Sequence, residues 1–189
     1  MNKKLNFLIL LMLFSAVVLF SSKSYAYGSN FNSYYVGING GFLQTSPSGS
    51  SSKTGGTYNI SLGKDVNINK LILGGGVMLG YSDNGSWSSE SLHSVYYGAF
   101  VKGGYDLNDN FMPFVKVGYI GDSFNGSNGS NGLGNSTENG VLYGAGVKYM
   151  INNLWGVTAQ YVGASLSGGS NNYPNIRINS YMIGVDYSF

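Results

Sequence analysis

The chain has 189 residues, with 10 % charged side chains, 30 Gly, 16 Tyr, only three Pro and no Cys. That is one domain's worth of chain; few charges and many aromatics exclude a disordered protein, and the missing Cys excludes disulfides, thiolate chemistry and a lipid-modified Cys. The single His93 leaves little material for a metal site, and neither a metal nor a cofactor is expected.

The N-terminus reads as a secretory signal peptide. Lys3 and Lys4 give a positive start, residues 7–20 are apolar apart from Ser15, and Ser24-Tyr25-Ala26 supplies small residues for cleavage after Ala26. Fourteen apolar residues fall short of the roughly 20 a spanning helix needs. The expected division is therefore residues 1–26 as signal peptide and residues 27–189 as one mature domain. Removal of Lys3, Lys4 and Lys23 leaves seven basic residues against eight acidic ones. The formal charge of +2 thus belongs to the leader and does not point to nucleic acid. No run of 18 apolar residues follows. A secreted β-protein and an outer-membrane barrel remain.

Eight segments alternate with period two, the pattern of strands with unlike faces. Residues 34–43 place Tyr34, Val36, Ile38 and Phe42 on one face; residues 57–66 place Tyr58, Ile60 and Leu62; residues 71–82 place Leu71, Leu73, Val77, Leu79 and Tyr81. Residues 93–106 align Val95, Tyr97, Ala99, Val101 and Tyr105, and residues 111–124 align Phe111, Val115, Val117 and Tyr119. Residues 140–151 align Val141, Tyr143, Ala145, Val147 and Tyr149, and residues 154–166 align Trp155, Val157, Ala159 and Tyr161. Residues 177–189 close the series with Tyr181, Ile183, Val185, Tyr187 and Phe189.

The connections alternate in length. Residues 44–56, 83–92, 125–139 and 167–176 read as long polar loops, whereas residues 67–70, 107–110 and the pair Asn152-Asn153 read as tight turns. An even number of strands with long loops on one side and short turns on the other suits a transmembrane barrel. The aromatics of the apolar face fall at two heights. Tyr34, Tyr105, Phe111, Tyr149, Trp155, Tyr187 and Phe189 lie near the short turns; Phe42, Tyr58, Tyr81, Tyr97, Tyr119, Tyr143, Tyr161 and Tyr181 lie near the long loops. Two such girdles flanking an aliphatic band are what two membrane interfaces select. At roughly 3.3 Å per residue and a tilt near 40° they stand about 15–20 Å apart. Lys64 is the one charge expected on the outer face.

The ending, with a terminal Phe189, Tyr187 two before it and then Val185, Ile183 and Tyr181, resembles the C-terminal assembly signal of outer-membrane β-barrels. The whole mature chain resembles the small eight-stranded barrels of the OmpA transmembrane domain, OmpX and opacity-type surface antigens. The resemblance implies an all-β, eight-stranded antiparallel up-and-down transmembrane barrel in the cell outer membrane of a Gram-negative bacterium. It implies a monomer in contact with outer-membrane lipid and lipopolysaccharide, inserted by the barrel-assembly machinery; unlike in full-length OmpA, no peptidoglycan-binding domain is expected after the barrel.

Eight strands leave a lumen just filled by side chains. Its larger occupants are expected to be Tyr35, Met78, Tyr96, Phe100, Phe114, Met150, Gln160 and Met182, among many glycines. The inward charges are Lys102, Lys116, Lys148, Asp65, Asp106, Asp122 and Asp186. Lys102 and Lys116 should oppose each other across the turn at 107–110, which destabilises a sheet, so Asp186 or Asp106 is expected to neutralise them. A plugged structural or surface barrel is the leading expectation. A narrow porin-like channel or small hydrophobic-molecule conduit is the alternative, and an adhesin acting through the four polar loops, with Trp87 as anchor, is the second. Lipid A deacylases resemble this architecture and use a His/Ser pair with an acid. Here His93 and Ser94 are adjacent on one strand and must face opposite ways, so no catalytic residue is expected.

Overall fold

In the computed structural model, residues 30–47, 52–87, 90–125, 136–167 and 176–189 are described. The expected signal peptide and the centres of the four long loops lie outside them. Eight strands follow in chain order: β1 (Tyr34–Pro47), β2 (Lys53–Ile68), β3 (Leu71–Trp87), β4 (Glu90–Tyr105), β5 (Phe111–Asn125), β6 (Ser136–Met150), β7 (Trp155–Ser167) and β8 (Ile176–Ser188). Each pairs antiparallel with its sequence neighbours, and β1 pairs with β8, so the sheet closes into a barrel. Closure leaves no strand edge unpaired, the condition for β-structure in lipid. Phe189 completes the seam: its N–H donates to Tyr34 O at 2.9 Å, and Tyr34 N–H donates to Phe189 O at 3.1 Å.

The strands are longer than their apolar pattern. β3 runs to Trp87 and β4 begins at Glu90, so most of the expected loop at 83–92 is hairpin. The same extension occurs in β1, β2 and β6, where polar residues continue the ladder beyond the girdle. Alternation of apolar and polar residues marks the part of a strand in contact with lipid and stops where the ladder rises into water.

The short turns have specific chemistry. β2 and β3 pair up to Ile68 and Leu71, leaving Asn69 and Lys70 as a two-residue turn with φ of 50° and 74°, as a type I′ hairpin demands. Between β4 and β5, Asp106 Oδ1 accepts from Asp109 N–H at 2.7 Å, and Asp109 has φ 63°. The expected two-residue turn at Asn152-Asn153 spans four residues, 151–154. Asn152 Oδ1 accepts from the N–H groups of Leu154 and Trp155 at 2.9 and 2.8 Å, and this Asx-type closure needs the extra length.

Val101, Val115, Ile183 and their neighbours form an exposed aliphatic band on the outer wall. The girdle rings meet along arcs: Tyr143, Tyr161, Tyr181 and Phe42 touch in series at 5.4–6.4 Å between centroids. At the other interface Trp155, Tyr187, Phe189 and Tyr34 do so at 5.0–6.3 Å. Tyr58 stacks on Tyr81 at 5.3 Å. Tyr105, Phe111, Tyr149, Tyr97 and Tyr119 occupy the outward face of their strands. The Tyr97 ring lies over Gly121, where any Cβ would strike it; the aromatic covers the neighbouring backbone that glycine leaves bare. Lys64 projects outward over the Tyr34 ring at 4.7 Å. It is not the one outward charge, because Arg177 and Asp83 are also exposed, at the long-loop ends of β8 and β3.

Candidate functional site

The lumen has three tiers. At the short-turn mouth, residues 30–33 fold under the barrel before β1 begins. Phe31 is buried against Ile72, Met112, Phe114 and Met150, Asn30 Nδ2 donates to Asn110 Oδ1 at 2.7 Å, and Asp65 N–H donates to Ser33 O at 3.0 Å. Each such buried apolar side chain contributes about 1.5–3 kcal/mol. At the long-loop end a second apolar cluster includes Leu43, Phe124, Leu142, Leu166 and Ile176. Between them lies a polar belt.

The belt carries three lysines and two aspartates, all under one-tenth exposed. Lys102 Nζ lies 2.9 Å from Asp65 Oδ2, and Lys148 Nζ lies 3.5 Å from Asp186 Oδ2, which also accepts from Thr158 Oγ1. Glycines make room for both carboxylates: a Cβ on Gly74 would overlap Asp65 Oδ1, and one on Gly37 would overlap Asp186 Oδ1. Aromatic faces supplement the pairs. Tyr35 lies 4.4 Å from Lys102 Nζ and 4.7 Å from Lys148 Nζ, while Phe114 lies 5.5 Å from Lys102 Nζ and Phe100 5.1 Å from Lys116 Nζ.

Lys102 and Lys116 are opposed in the β4–β5 register. Their neutralisation differs from the expectation. Asp65 on β2 pairs with Lys102, and Asp186 pairs with Lys148. Asp106 is committed to the turn and to Asn67 Nδ2 at 3.3 Å, because it lies past the end of β4. Asp122 also lies away from the lysines. It is six residues along β5 from Lys116, about 20 Å at 3.3 Å per residue, where it bonds Ser94 and opposes Glu138.

Lys116 instead heads a chain of hydrogen bonds across the lumen. Its Nζ donates to Gln160 Oε1 at 2.7 Å, Gln160 Nε2 donates to Asn39 Oδ1 at 2.9 Å, and Asn39 Nδ2 donates to Asn59 Oδ1 at 3.0 Å. Asn59 Nδ2 then donates to Tyr96 Oη at 3.1 Å and to Met182 Sδ at 3.3 Å. Tyr96 Oη ends the chain on Tyr58 O at 3.4 Å and beside Thr57 Oγ1 at 3.0 Å. Five strands, β5, β7, β1, β2 and β4, are tied by side chains that all donate in one direction, so each bond polarises the next. Inward parity on β1 and β2 marks Asn39 and Asn59 as lumen amides, but nothing in the pattern shows that they meet Gln160 from β7. Phe31 carries no periodic signal at all. A cavity of about 30 Å³ remains beside the brace, room for one or two waters.

A closed eight-stranded barrel with a lipid-facing outer wall and a polar lumen defines a small outer-membrane barrel. The chain belongs to the outer membrane protein beta-barrel domain family, whose model matches residues 12–189; it resides in the cell outer membrane. Among solved structures, neisserial surface protein A is 21% identical with TM-score 0.68, covering 82% of this chain and 97% of its own. Ail, the attachment invasion locus protein of Yersinia pestis, is 15% identical with TM-score 0.62, covering 84% and 99%. The outer membrane enzyme PagL is 22% identical with TM-score 0.52, covering 81% and 97%. At these identities the likeness is one of fold. No curated protein matches the chain.

Proposed function

We propose that the protein is a structural, surface-exposed component of the outer membrane whose lumen is closed to solutes. The observation that carries this reading is the five-strand brace, which crosses the lumen at mid-height beside a cavity of about 30 Å³. The contacts of the apolar lumen side chains speak against a conduit for a small hydrophobic molecule: Phe100 and Phe114 pack under lysines and Met182 accepts from Asn59. Purified protein in planar lipid bilayers is expected to give no conductance steps; discrete steps of reproducible size would overturn the reading.

The reading is also non-enzymatic, although the outer membrane enzyme PagL shares the fold. His93 stacks outside the barrel on Tyr81 at 5.7 Å with Asp83 at 3.9 Å, whereas Ser94 points into the lumen and bonds Ser82 at 2.7 Å. His93 and Ser94 therefore form no nucleophile–base pair.

A second reading, surface attachment, is favoured by the β3–β4 hairpin. β3 runs six residues past Tyr81 and β4 starts seven before Tyr97, which carries the strand ends at Trp87 and Glu90 about 15 Å above the girdle at 3.3 Å per residue and a tilt near 40°. Ail, whose name denotes attachment, shares the fold. Shortening residues 84–92 should abolish adhesion of expressing cells to host cells under this reading, and unchanged adhesion sinks it.

A further inference from the structure

The polar belt does not balance its charge. Among the described residues Lys102, Lys116 and Lys148 face only Asp65 and Asp186, and each aspartate is already in contact with its own lysine. Lys116 has no carboxylate in salt-bridge contact among the described residues; its polar contact is the neutral Gln160. Its cross-strand neighbour is Lys102, a like charge. Ring faces above the ammonium groups attract them but cancel no charge. The three lysines line one small cavity, with the Ser61 hydroxyl and the Asp186 carboxylate also in its wall and the Thr158 hydroxyl donated to Asp186. A buried cation without an anion is costly, and a cavity of about 30 Å³ suits a guest of roughly water size.

We propose that this cavity is a binding site for one small monovalent anion of the halide class, held by the ammonium group of Lys116 with Lys102 and Lys148 around it. The site rests on the closed-lumen reading, because an open, solvated bore would screen the lysines and need no fixed counter-ion. The anion would supply the missing negative charge while leaving the donor chain to Gln160 intact. Its size limit follows from the walls: the aromatic rings of Tyr35, Phe100 and Phe114 line the space, and a larger oxyanion would displace them.

The test uses the folded mature barrel in detergent or lipid, unfolded with urea in sodium chloride, sodium bromide or sodium gluconate at equal ionic strength. Chloride and bromide are expected to stabilise it saturably over gluconate, the folded-to-unfolded ratio rising about a hundredfold when the halide is a hundred times its Kd. Lys116→Gln should abolish the difference. Equal stability of the wild type in all three salts overturns the site, as does a halide effect that survives in Lys116→Gln. Should that variant fail to assemble, anomalous scattering from bromide-soaked wild-type crystals decides: a peak in the lumen beside Lys116 supports the site, and none there refutes it. Bilayer conductance of the same preparation separates the two readings. A silent barrel without halide dependence removes only the anion, whereas a conducting one removes the closed lumen.

Discussion

Asp65→Asn removes one charge from the lumen and almost no volume. Lys102 then loses the carboxylate at 2.9 Å and is left opposite Lys116. Taking one partner from a buried pair costs about 3–5 kcal/mol, because the other charge stays buried and uncompensated. The lysine repulsion points the same way: at roughly 5–8 Å and an effective dielectric near 20 it amounts to about 2–3 kcal/mol. Lys102→Met leaves a lone carboxylate but relieves the excess of cations, so it should cost about 1 kcal/mol less than Asp65→Asn. The double variant removes both desolvated charges and should return to within about 1–2 kcal/mol of the wild type. Urea unfolding in lipid vesicles, followed by tryptophan fluorescence and by boil-dependent gel mobility, measures all four proteins. Single variants costing less than about 1 kcal/mol each, or a double variant as destabilised as the sum of the singles, would refute the ion pair as a structural element of the lumen.

Gly118→Ala should destabilise the barrel by about 1–3 kcal/mol, since its Cβ would overlap the Ala99 carbonyl oxygen; Gly103→Ala, with nothing within 4 Å of its Cβ, should be neutral or slightly stabilising in the same unfolding assay. Phe31→Ala should cost about 3 kcal/mol, yet leave bilayer conductance at baseline because the brace lies above it; conductance steps in this variant would move the seal to the mouth. Replacing Asn39 and Gln160 together with Ala removes the centre of the brace and should produce conductance where Phe31→Ala does not. Phe189→Ala loses ring contacts with Tyr34 and Tyr187, worth about 0.5–1.5 kcal/mol apiece. A several-fold lower yield of heat-modifiable barrel in outer-membrane fractions, with a smaller change in urea midpoint, is expected if the ring acts mainly during assembly.

The period-two pattern of Tyr, Val, Ile and Gly determined the strand number, the lipid-facing wall and the two aromatic heights. Each rests on alternation along one strand, and lipid contact enforces that alternation locally. The extent of the strands was not legible in this way. Above the girdle the ladder of β3 and β4 continues to Trp87 and from Glu90 without an apolar signature. The belt was legible in part. Inward parity placed Lys102, Lys116, Lys148, Asp65, Asp122 and Asp186 in the lumen, and the β4–β5 hairpin set Lys102 opposite Lys116. Pairing across the lumen was not, because it depends on the stagger accumulated around eight strands, which brings Gln160 of β7 to Asn39 of β1 and Asp65 of β2 to Lys102 of β4. Asp106 has inward parity but lies where the chain leaves the sheet, and parity carries no information beyond a strand's end. Phe31 lies outside any strand and reaches the lumen by a local fold-back. What one strand sees of lipid and lumen is therefore written in the sequence, whereas what the lumen side chains see of one another arises only when β1 closes on β8.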